Sequence, residues 1–181
     1  MRVLSNEEVK MLWKRYLGWS NEPNTEIANI TLTFDRDSRL HLRQEENGFV
    51  RAGHKFFTKL ARTRKIHIFG WMAMESCSIS SRSKELVGEH IHSLICMKAG
   101  RPIPLLTQEE LRPLWKYSVK EQICIQAWDK EPKLLRYNYG EFPDHFHTVI
   151  PSTHYHPRLS ACRNNKCELC NAFPKPEEIY L

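Results

Sequence analysis

The chain has 181 residues, 41% of them hydrophobic, which is enough for one packed domain with a small appendage and too apolar for wholesale disorder. Its 27 Lys and Arg exceed its 21 Asp and Glu, and the resulting charge of +6 suits a polyanion such as nucleic acid while also fitting an ordinary basic protein. No apolar run reaches the ~20 residues of a membrane span, and MRVLSNEEVK lacks the apolar segment of a secretory signal. These features predict an intracellular chain without a membrane partner, whose six cysteines are metal ligands or buried thiols rather than disulfides.

SNEEVKMLWKRYLGW opens with a capping box, Ser5 with Glu8, and continues with Val9, Leu12, Trp13, Tyr16 and Leu17 at helical spacing. EIANITLTF, residues 26–34, is β-branched and alternating, a strand. Residues 35–50 are polar and read as a loop, with a short strand or turn at RLHLRQ. AGHKFFTKLARTRK reads as a basic amphipathic helix with Phe56, Phe57 and Leu60 inward. IHIFGWMAME and EHIHSLICM are strands on either side of a Ser-rich connection, and KAGRP is a turn. LTQEELRPLWKY carries a second capping box, Thr107 with Glu110, at the start of a short helix. VKEQICIQAW is a further strand. DKEPKLLRYNYGEF is a helix capped by Asp129, with Pro132 in its first turn. After Pro143 histidine, cysteine and proline dominate and periodicity is lost, which sets a boundary near residue 150. The order of elements implies an α+β fold, one central antiparallel sheet covered by helices, with a small Cys/His-rich element at the C-terminus.

Three histidine–apolar–histidine triplets stand out, at 90–92, 145–147 and 154–156. Side chains alternate along a strand, so His90 and His92 share a face while Ile91 packs into the opposite core. Two imidazoles call for a third, harder ligand. If residues 66–75 and 89–97 pair as a hairpin, Glu75 lies beside them, whereas Glu89, the neighbour of His90, faces away. Two histidines and a glutamate with open positions suit Mn²⁺ or Mg²⁺ acting on phosphate oxygens, or Zn²⁺. The plain alternative is a pair of half-buried core histidines. In the tail, His154, His156, Cys162, Cys167 and Cys170 have the spacing of a Cys₃His structural zinc knuckle, with free thiols as the alternative. His145 and His147 read as structural, and Cys96 and Cys124 as buried strand thiols.

NITLTF, FGWMAMES, EHIHSLI and ICIQAWDKEPKLLRYNYGEF, in this order and with HKFFTKLART between the first two, resemble the motifs of rolling-circle replication initiators, the Rep branch of the HUH endonucleases. The resemblance covers roughly residues 26–142. It implies an HUH endonuclease domain over residues 1–150, followed by the possible zinc knuckle over 151–181. It implies a metal held by Glu75, His90 and His92, and a nucleophilic tyrosine, Tyr137 with Tyr139 as the second candidate. The activity implied is site-specific nicking of single-stranded DNA or an origin hairpin, leaving a 5′-phosphotyrosine and a free 3′-OH that primes replication. The family usually places a lysine three residues after the tyrosine. Here Gly140 and Phe142 stand in those positions, so Lys130, Lys133 or Arg136 is left to supply the charge. Lys55, Lys59, Arg62, Arg64 and Lys65 on the basic helix, together with Lys133 and Arg136, are the candidate phosphate contacts; a solvated helical face is the alternative. There is no Walker motif, so a separate helicase and polymerase are implied partners, in a prokaryotic cytoplasm or, for a eukaryotic virus, a nucleus. Other readings are an HUH transposase or relaxase, a non-catalytic zinc-containing nucleic-acid-binding module, and a phosphoesterase pairing HIHSLI with HFHTVI.

Overall fold

The computed structural model describes residues 5–75, 78–79, 86–118, 123–139 and 146–153, with the backbone alone for 78–79, 86–87 and 146–153. In chain order these residues form α1 (Asn6–Ser20), β1 (Thr25–Thr33), α2 (Arg36–Arg43), α3 (Gly48–Arg64), β2 (His67–Glu75), β3 (Ser78–Ile79), β4 (Leu86–Val87), β5 (His90–Lys98), α4 (Gln108–Leu111), β6 (Ile123–Ala127), α5 (Lys133–Tyr139) and β7 (Phe146–Thr153). A 3-10 turn, Arg112–Leu114, extends α4. The five long strands make one antiparallel sheet in the order β6-β1-β5-β2-β7, and β3 and β4 pair separately. No helix of the described residues is long and apolar enough to cross a membrane.

The sheet has a packed face on each side. Ile30, Leu32, Ile68, Met72, Ile91, Ile95 and Met97 meet Phe56, Phe57 and Leu60 of α3. Ile27, Phe69, Trp71, Leu94 and Cys96 meet Val9, Leu12 and Tyr16 of α1 and Leu135 and Tyr139 of α5. α1 begins at the expected capping box: the Ser5 hydroxyl accepts the Glu8 N–H and the Glu8 carboxylate accepts the Ser5 N–H at 2.8 Å. α3 carries its glycine where close packing requires it, since a Cβ on Gly53 would stand 2.8 Å from Met72 Sδ.

Four sequence expectations are corrected. Residues 36–43 form helix α2 rather than a loop or strand: Asp35 caps it by accepting the Ser38 N–H at 2.8 Å, and Leu42 is buried. The backbone beyond Pro143 returns to the sheet as β7, pairing with β2. Cys124 is exposed because β6 is the edge strand, whereas Cys96 in the central strand is buried as expected. The helices and strands also differ in length. Asp129 does not cap α5; it accepts the Glu131 N–H at 3.0 Å in a turn ahead of the helix.

Two tyrosines replace part of the β2–β5 ladder. Leu94 N–H donates to the Tyr139 hydroxyl at 2.9 Å, and that hydroxyl donates to the Trp71 carbonyl at 2.7 Å. The Tyr16 hydroxyl donates to the Leu94 carbonyl. Both backbone groups of Leu94 are thus satisfied by side chains from the covering helices. Burial pushes both phenols well above their ordinary pKa of about 10. A folded pKa raised above the unfolded one gives stability that is complete below pH about 10 and lost as pH rises beyond it. Thermal melts across alkaline pH should show a midpoint that falls from about pH 10, with a shallower fall in Tyr16→Phe.

Candidate metal centre

β2 and β5 form the expected hairpin, and its register sets Glu75 opposite His90. Directly opposed residues of an antiparallel pair point to the same side, so Glu75 joins His90 and His92 while Ile91 enters the core on the other face. The two imidazoles meet edge to face, with Nε2 atoms 2.9 Å apart. Glu75 Oε2 lies 3.0 Å from His90 Nε2 and 3.2 Å from His92 Nε2. The three side chains are 2%, 5% and 7% exposed for Glu75, His90 and His92, so the group is removed from bulk water.

These three atoms form a nearly equilateral triangle. Ligands at right angles around an ion, with bonds of about 2.1 Å, stand about 3.0 Å apart; a tetrahedral set at that bond length spreads to about 3.4 Å. The triangle, with edges of 2.9, 3.0 and 3.2 Å, is compatible with three ligands of one ion in either arrangement. His90 Nδ1 lies 2.8 Å from the Gly88 carbonyl, which can only accept, so Nδ1 carries the proton and a neutral ring presents a bare Nε2. His92 Nδ1 lies 3.1 Å from the Thr31 hydroxyl on β1, its register partner. The two Nε2 atoms and Glu75 Oε2 lie within hydrogen-bonding distance of one another, so a shared proton or a cation among them would hold the three side chains together. Glu75, His90 and His92 together can hold a divalent metal ion.

The surroundings position this group. Glu89 points away from the triangle, as its place in the strand requires. It pairs with Arg43, and Arg39 Nε stands 3.9 Å from its other oxygen, both from α2. Tyr137 of α5 lies over the centre: its ring is 5.3 Å from that of His92, at 76°, and the residue is 38% exposed. Tyr139, two residues on, points instead into the core, where its hydroxyl bridges β2 and β5. Between them Asn138 is fully buried and donates from Nδ2 to Oδ1 of Asn29 on β1 at 2.9 Å, fixing α5 on the sheet.

The basic residues are divided. Lys133 and Arg136 lie exposed on α5 with Tyr137, and Lys133 reaches Asp129 at 3.2 Å. Lys55, Lys59, Arg62 and Lys65 are exposed along α3, on the far side of the sheet from the triangle, and Arg64 pairs with Glu110. His154, His156, Cys162, Cys167 and Cys170 lie outside the described residues, as does His145; the backbone of His147 pairs with Ala73. Thr31, Gly88, Asn29 and Asn138 were not singled out from the sequence. A threonine in a β-branched strand reads as a strand former, and only the register shows what its hydroxyl faces.

Comparison with family models, with curated proteins and with solved structures gives no match.

Proposed function

We propose that the chain is a metal-dependent endonuclease and strand transferase of the HUH type, nicking single-stranded DNA through a tyrosine to start rolling-circle replication. The observation that carries this reading is the placement of Tyr137 against His92, at the mouth of a buried group of two imidazoles and a carboxylate. The ordered sequence motifs, which resemble those of the HUH family, support the same assignment.

Glu75 Oε2, His90 Nε2 and His92 Nε2 would hold the ion, Mn²⁺ or Mg²⁺ by the hardness of the carboxylate. When bound, it supplies positive charge to neutralise the scissile phosphate as charge develops there. The Tyr137 oxygen attacks phosphorus and the P–O3′ bond breaks, giving the 5′-phosphotyrosine and a 3′-oxygen that takes up a proton. The phosphodiester is conserved in energy, so the reverse step rejoins strands. Tyr137 must lose its proton to attack, and Lys133, one helical turn before it, is the cation of α5 spaced to favour the phenolate. Asn138 and Tyr139 hold the helix while Tyr137 reacts. Lys133 and Arg136 are the phosphate contacts beside the site, and the α3 cations a second, remote set.

The test is incubation with labelled single-stranded DNA and Mn²⁺, followed by denaturing electrophoresis. A covalent adduct is expected from wild type and from Tyr139→Phe below its melting temperature, and none from Tyr137→Phe. An adduct that survives Tyr137→Phe overturns the assignment. Binding without any adduct points to a nucleic-acid-binding module, and release of free products without one to a phosphoesterase.

A further inference from the structure

The metal centre has a neighbour on a third strand. β1 is hydrogen-bonded to β5 so that Thr31 stands opposite His92, on the same face, with its hydroxyl 3.1 Å from Nδ1. A histidine that gives one ring nitrogen to a metal has the proton on the other, and the partner of that proton sets the tautomer and the ring plane. For His90 the partner is the backbone carbonyl of Gly88, which no side-chain change removes. For His92 it is a side chain.

We propose that Thr31 is a positioning residue of the metal centre: when His92 gives Nε2 to an ion its Nδ1 carries the proton, and the Thr31 hydroxyl accepts that N–H and holds the ring aimed at Glu75 and His90. This rests on the reading of Glu75, His90 and His92 as a metal site, not on the nicking reaction. It gives NITLTF a physical task, because the strand bearing that motif reaches the centre through Thr31. Without the hydroxyl, the Nδ1–H that His92 must carry when Nε2 is ligated loses this acceptor in a buried setting, so the ligated state is the one that is weakened.

Thr31→Val keeps the β-branched shape that suits the strand and removes only the hydrogen-bonding group. Thr31→Ser restores that group. The full chain is titrated with Mn²⁺, and binding is followed by electron paramagnetic resonance of the free ion. Wild type and Thr31→Ser should bind alike, and Thr31→Val about 10-fold or more weaker, with thermal midpoints of the metal-free proteins compared to separate folding from binding. Long-range ¹H–¹⁵N spectra of the Mg²⁺-loaded protein read the Nδ1–H of His92 directly. Its hydrogen bond is expected in wild type and Thr31→Ser and its loss in Thr31→Val. Equal Mn²⁺ affinity in wild type and Thr31→Val, or no Mn²⁺ uptake by wild type, overturns the proposal. Wild-type Mn²⁺ binding with the Thr31 effect, but no DNA adduct, leaves Thr31 in its role and removes the nickase reading.

Discussion

Glutamine in place of Glu75 is expected to remove the response to metal while leaving the metal-free protein as stable as wild type or more so. Glu75 is a carboxylate almost wholly withdrawn from water, with two imidazole nitrogens within 3.2 Å of one oxygen. Burying such a group costs stability unless positive charge compensates it. The glutamine amide has the same shape, carries no charge and can donate to an imidazole nitrogen, so the metal-free protein loses nothing. As a ligand it is far weaker than a carboxylate for a hard ion. At about 100 times the dissociation constant, an ion that binds only the folded state adds about 2.7 kcal/mol. Wild type should show that gain with Mn²⁺ as a rise in thermal midpoint, and Glu75→Gln should show almost none. A large destabilisation of metal-free Glu75→Gln would mean that the carboxylate is a structural anchor.

The second large effect lies at Gly70, far along β2 from the ligands. Its φ of +143° lies in a region that residues with a side chain rarely adopt, and a Cβ there would stand 2.5 Å from the Leu94 carbonyl oxygen and 2.8 Å from the Tyr16 hydroxyl. Gly70→Ala therefore combines backbone strain with a clash against the carbonyl that Tyr16 caps. The expected loss is about 3 kcal/mol or more, read as a shift in denaturant midpoint. Gly18→Ala is the contrasting control. Gly18 lies within α1, and a Cβ there meets nothing within 4 Å. Alanine should stabilise that position by about 0.5–1 kcal/mol through the unfolded chain. Equal outcomes at the two glycines would contradict the role given to the Tyr16–Leu94 contact.

The ligands were legible because their chemistry coincides with strand geometry. His90 and His92 had to share a face by alternation, and a hairpin between flanking strands had to bring Glu75 close. α2 was not legible, because Leu40, His41 and Leu42 read with a period of two; the fold instead exposes Leu40 at 50% and buries Leu42, under the Asp35 cap. Spacing from the preceding strand ranked Tyr137 ahead of Tyr139 but could not separate their surroundings, since both lie on one short helix. They are separated by depth, one at the centre's mouth and the other inserted into the ladder. The basic helix α3 was recognised, but which side of the sheet it covers depends on how β1 and β2 enter the sheet, which no local pattern records.

The hairpin register has a consequence for assembly of the fold. Glu75 and His90 are opposed only while β2 and β5 are aligned as found; sliding one strand by a single residue would turn the acid toward α3 and leave the imidazoles behind. An ion seated there would act as a clasp at the loop end of the hairpin, where β2 leaves the sheet and β5 enters it, rewarding the correct alignment and no other. Loading with metal would then be a check on folding as well as a preparation for chemistry.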